Sequence, residues 1–143
     1  MFGSSPHRAA AAYKRVGLST SVDAADPHHL ITLLFEGLLE ALGLARAAMQ
    51  RGDIAAKGEN IVRAVRILEE GLKAGLNAEQ GGELAVNLRG VYDYSIARLT
   101  LANLRNSADL VDEVIALIEP VADAWRRIGT APAGRAAAST IGA

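Results

Sequence analysis

No cysteine occurs in the 143 residues of this chain, which excludes disulfides, thiolate catalysis and cysteine-ligated zinc. Aromatic residues are scarce at 4%. A core must therefore be filled by Ala, Leu, Ile and Val, and with Glu, Arg and Lys these favour helix over strand. Excess charge of one sign is lacking too. A formal net charge of -1 gives no chain-wide pull toward nucleic acid, because phosphate binding needs clustered Lys and Arg. No charge-free run of about 18 residues occurs, so no segment reads as membrane-spanning; the near-neutral stretch Leu38 to Ala48 is broken by Glu40 and Arg46. Met1 to Ala12 has no apolar stretch of signal-peptide length. The lack of cysteine suits the cytosol, and 143 residues fit one domain.

What is present is helical periodicity. Residues 1–25 show no sustained period and read as a mobile N-terminal arm with Tyr13, Val16 and Leu18 as apolar anchors. Asp26 before Pro27 is a helix start, a carboxylate cap followed by a residue that has no amide to lose. From there to Gln50, at about 100° per residue, Leu30, Ile31, Leu34, Leu38, Leu42, Ala45 and Met49 share one face. Gly52 stops this helix and Asp53 caps the next. The second helix is predicted to Gly75, with Ile54, Ile61, Val65, Leu68 and Leu72 aligned. Leu76 to Gly82 reads as a hinge.

A third helix is predicted from Glu83 to Arg105, ending at Asn106. Ser107 then caps a fourth with Leu110, Val114, Leu117, Val121, Trp125 and Ile128 on one face. Pro120 enters that helix from its polar side, where the lost bond faces water and a bend is expected. From Gly129 on, no pattern remains, which reads as a disordered C-terminal tail. The fold class is all-α: an antiparallel up-down-up-down four-helix bundle over residues 26–128.

The third helix carries more apolar surface than one buried face can take. Leu84, Leu88, Val91, Tyr92, Ile96 and Leu99 form a first stripe suited to the core. Gly90, Tyr94, Ala97, Leu101 and Leu104 form a second, roughly on the other side of the cylinder. A four-helix bundle needs one buried stripe per helix. The second either marks a helix more buried than its neighbours or calls for another subunit, the N-terminal arm or a partner chain.

Catalytic readings find no support in the residues. His28 and His29 are adjacent and diverge by about 100° on a helix, so they cannot share a metal. No HExxH, dinucleotide-binding glycine motif or phosphate loop occurs, so no cofactor or metal is expected. Asp93 between two tyrosines reads as a surface charge or a partner for a ligand's backbone, and Trp125 as a packing anchor. The expectation is a binding protein, not an enzyme.

Several segments, in order, carry a resemblance: AAYKRV in the arm, DPHHLITLLFEGLLEAL, GDIAAKGENIVRAVRILEEGLKAGL, GGELAVNLRGVYDYSIARLTLANLRN and a closing VADAW. From about Tyr13 to Ile128 the chain resembles the FliS family of flagellar secretion chaperones. The resemblance implies a four-helix bundle that binds the disordered C-terminal segment of flagellin, blocks premature polymerisation and passes the subunit to the flagellar type III export gate. It also implies that the arm can cover an apolar groove in the unbound state. Tyr13 matches the family's N-terminal tyrosine, with Val16 beside it. Tyr92, Asp93 and Tyr94 match its helix-three motif, and Leu99, Ala102 and Asn103 the segment after it. Ser95 stands where the family often has methionine, and Pro120 is a further departure. A flagellar regulatory protein could share the groove. A self-associating scaffold is the competing expectation, so monomer and homodimer both stay open.

Overall fold

The computed structural model describes residues 26–76 and 78–130. The arm, with Tyr13 and Val16, and the tail beyond Thr130 lie outside the described residues. Four helices follow one another: α1 over Pro27–Gln50, α2 over Ile54–Arg66 continuing as a π-helical turn over Ile67–Lys73, α3 over Ala78–Arg105, and α4 over Ala108–Thr130. Each packs against the two beside it, and among the described residues the diagonal pairs make no close approach. The result is the antiparallel four-helix bundle.

Local chemistry explains the ends. The Asp26 Oδ1 atom accepts from the His29 amide at 3.1 Å, with Pro27 in the first turn. Gly52, at φ 75°, occupies the left-handed region that a glycine adopts without penalty. It lets the Asp53 amide reach back to the Ala48 carbonyl at 2.9 Å. Asp53 then caps α2 through the Ala56 amide at 3.1 Å. Asn106 takes the same left-handed role after α3, at φ 55°, and the Ser107 amide returns to the Ala102 carbonyl at 3.0 Å. Ser107 Oγ accepts the Leu110 amide at 3.3 Å and so opens α4.

Leu34, Leu38 and Leu42 of α1 are fully buried and meet Ile61, Ala64 and Leu68 of α2, Leu99 and Ala102 of α3, and Val111, Val114 and Ile118 of α4 in one core. Burial of such side chains contributes about 1.5–3 kcal/mol each.

Four details differ from the periodicity reading. On α4 the deepest line is Val111, Val114, Ile118 and Ala122, while Leu110, Val121 and Trp125 pack partly buried along its flank. The reason lies in two adjacent carboxylates: Asp112 pairs with Arg46 of α1, and Glu113 with Arg98 of α3 at 2.9 Å. Their midpoint marks the outer face, so the opposite line goes inward. Ile54 is 60% exposed, because at the first turn of α2 none of the described residues overlies it. The expected hinge is shorter, since helix resumes at Ala78 and breaks only at Gly82, at φ 56°. Finally, α4 runs on through Gly129, where a glycine is needed because a Cβ there would collide with the His28 imidazole.

Candidate partner-binding surface

The second stripe of α3 stands on the outside of the bundle. Leu104 is 82% exposed and Tyr94 45%; Gly90 and Ala97 are exposed and Leu101 half-buried. Val86, 60% exposed, extends the same line one turn earlier. The residue count had missed it, although it precedes Gly90 by four and belongs to the same period. From Val86 to Leu104 the strip runs about 27 Å along the helix.

A polar clasp borders it. Tyr94 Oη donates to Glu113 Oε2 at 2.5 Å, and Arg98 Nε donates to Glu113 Oε1 at 2.9 Å. The Arg98 guanidinium lies 5.6 Å from the Tyr94 ring centroid. Donation first from Tyr94 and then from Arg98 holds the Glu113 carboxyl below the usual carboxylate range. The same bond raises the Tyr94 phenol. These contacts fix the aromatic ring across the α3–α4 seam.

The other matched residues divide by depth. Tyr92, Leu99 and Ala102 are buried, and burial pushes the Tyr92 phenol up. Ser95 is fully buried too, and its Oγ has no hydrogen-bond partner among the described residues. Asp93 is exposed and pairs with Lys73 Nζ at 2.7 Å. Asn103 is half-buried, and its carbonyl accepts from Lys57 Nζ at 3.1 Å. The structure thus brings Gly90, Tyr94, Ala97, Leu101 and Leu104 together on one outer face. It sets Asp93 and Asn103 toward α2, and Tyr92, Leu99 and Ala102 inward.

A second apolar feature escaped the sequence reading. At the end of the bundle holding the start of α1 and the end of α4, the helices leave an open groove of about 310 Å³. Ile31 and Phe35 come from α1, Leu72 from the π turn, Gly75 and Leu76 from its exit. Leu84, Leu88 and Tyr92 of α3 face Val121, Trp125 and Ile128 of α4 across it. Leu84 was expected in the core, yet it is 45% exposed, because the groove leaves one side of it open. The only sequence hint was that these residues sit at helix ends, where a bundle stops closing on itself.

Among the described residues no three His, Asp or Glu side chains are placed to hold a metal ion, and no helix is long and apolar enough to cross a membrane. Comparison with known proteins places the architecture. The family profile described as Flagellar protein FliS matches residues 9–132. This chain belongs to the FliS family. Its relatives include the flagellar secretion chaperone FliS of Salmonella typhimurium, 48% identical over 117 residues, 82% of this chain and 87% of that one. The flagellar secretion chaperone FliSB of Pseudomonas aeruginosa is 47% identical over 113 residues, 79% of this chain and 89% of its own. The Bacillus subtilis flagellar secretion chaperone FliS is 34% identical over 107 residues, covering 75% and 78%. The FliS match spans all four helices, so the outer strip and the groove both lie in the shared part of the chain. It also takes in Tyr13 and Val16.

Proposed function

We propose that this chain is a cytosolic flagellar secretion chaperone. It binds the disordered C-terminal segment of flagellin, keeps the subunit from polymerising and leaves it competent for flagellar type III export. The observation that carries the reading is the exposed apolar strip of α3, from Val86 to Leu104, on a chain whose relatives bear the name of flagellar secretion chaperones. A disordered ligand loses conformational entropy on binding, so it needs an extended interface rather than one deep pocket. The strip offers length, and the groove beside Trp125 offers depth for apolar side chains at about 25 cal/mol per Å² buried. Neither calls for ATP or a metal. The flagellar export gate would receive the complex, and a flagellar regulatory protein could compete for the same surface.

Calorimetry of the full chain against the C-terminal segment of flagellin from the same source tests this. Saturable binding, with delayed filament growth when the chain is added, is expected. A chain that sediments as an oligomer and ignores the segment would instead fit a self-associating scaffold, and the reading would fall.

A further inference from the structure

The second helix changes its winding before it ends. Over Ile67–Lys73 the chain is π-helical, each hydrogen bond reaching one residue further than in an α-helix. Such turns are rare and act as a single inserted residue. Two contacts calibrate what the insertion does. Lys57 faces α3, donating to the Asn103 carbonyl at 3.1 Å. Arg63 faces α1, lying 3.5 Å from Glu40.

Counted from Lys57 at about 100° per residue, unbroken α winding would leave Lys73 about 160° away, in water. With one residue taken up by the π turn, the angle falls to about 60°. Lys73 is indeed on the α3 side, bound to Asp93 at 2.7 Å and to Glu69 at 3.2 Å. The same count from Arg63 puts Gly75 about 120° off the α1 direction in α winding and about 20° off with the insertion. Gly75 does face α1: a Cβ built there would lie 3.9 Å from Ile31 Cδ1. The winding thus decides whether Leu72, Gly75 and Leu76 form the groove wall.

We propose that Asp93 is a positioning residue: through Lys73 it holds the π register of Ile67–Lys73, and that register builds the wall of the partner-binding groove. The inference rests on reading the groove as part of the flagellin-binding surface. It gives the exposed aspartate between Tyr92 and Tyr94 a role that needs no contact with the partner. Without Asp93, Lys73 keeps only Glu69 of its own turn and loses its tie to α3. It can then turn to water with Glu69, the segment relaxes toward α winding, and Gly75 and Leu76 rotate away from Ile31.

The register account makes a demand that direct contact does not. Removing one residue from the turn lets an ordinary α-helix keep the same facing, so deletion of Glu70 should restore what loss of Asp93 takes away. Binding of the flagellin C-terminal segment is measured by calorimetry on four full-length proteins: the parent, Asp93→Asn, Lys73→Gln, and Asp93→Asn with Glu70 deleted. The expected result is a loss of about fivefold in each single variant, in the range of one ion pair, and recovery in the deletion.

Loss in Asp93→Asn alone, or failure of the deletion to restore binding, would mean that Asp93 touches the partner and would overturn the inference. So would a deletion that cannot fold, since α winding should fit. If the parent itself does not bind, the functional reading fails separately. The proximity of Gly75 to the Ile31 methyl groups, followed by NMR in parent and Asp93→Asn, then decides the register: persistence in Asp93→Asn overturns it, and loss supports it.

Discussion

His28 and Trp125 join the first turn of α1 to the last turns of α4 by a reciprocal pair of hydrogen bonds. Trp125 Nε1 donates to the His28 carbonyl at 3.1 Å, and His28 Nε2 lies 2.8 Å from the Trp125 carbonyl. A carbonyl only accepts, so that ring nitrogen carries a proton. The two rings stack at 4.5 Å between centroids and 10° between planes. The only tryptophan of the chain is thereby held at the mouth of the groove.

This contact depends on a missing side chain. A Cβ at residue 129 would run into the His28 ring, whereas one at Gly90 would meet nothing within 4 Å. Gly129→Ala is expected to lower stability by about 1–3 kcal/mol through overpacking. Gly90→Ala is expected to raise it by about 0.5–1 kcal/mol through helix propensity. Urea unfolding of both variants beside the parent checks the opposite signs.

The outer strip should matter for binding and little for folding. Leu104→Asp is expected to leave stability within about 0.5 kcal/mol of the parent and to weaken flagellin binding by about tenfold, the loss of one leucine's burial. Leu101→Asp should act in the same direction. Calorimetry paired with thermal unfolding separates the two effects. A variant that melts instead would place the strip in the core.

The buried Ser95 hydroxyl lacks a partner among the described residues, and a desolvated polar group without a hydrogen bond costs about 1–3 kcal/mol. Ser95→Ala keeps the shape and removes the cost. It is expected to raise the urea midpoint by the equivalent of about 1 kcal/mol at an unchanged slope. An unchanged midpoint would show that the hydroxyl is satisfied in solution.

The clasp gives acid stability a direction. Glu113 is held below the usual carboxylate range by Tyr94 and Arg98, so its charged form is favoured in the fold. Its contribution is present above the unfolded carboxylate range and is lost as pH falls through the lower folded value. Glu113→Gln should therefore be less stable than the parent at neutral pH, with the gap closing under acid conditions. Tyr94 is raised, so its share holds below the ordinary phenol range and fades above it. Stability curves from acid to alkaline pH test both signs.

Much of the fold was legible because its signals are local. Asp26–Pro27, Gly52–Asp53 and Asn106–Ser107 each satisfy backbone groups within a few residues, so the chain alone announces them. The exposed strip was legible too, since a helix with two apolar faces cannot bury both in a bundle. The rotation of α4 was not. It is set by Asp112 and Glu113 reaching Arg46 and Arg98 on two other helices, and a periodic count cannot choose between neighbouring apolar lines without those partners. The groove was missed because Leu84, Trp125 and Ile128 carry the same pattern whether a bundle end is closed or open.

The sequence by itself determined the helices, those of their ends that carry a cap, their antiparallel order and the surplus apolar face of α3, because capping chemistry and the 3.6-residue period act over short stretches. Only the tertiary structure decided the π winding over Ile67–Lys73, the pairing of Lys73 with Asp93 and the stacking of His28 on Trp125. Those features arise where one helix must meet another at a particular angle. The residues that set the angle lie 20 positions apart in one case and 97 in the other.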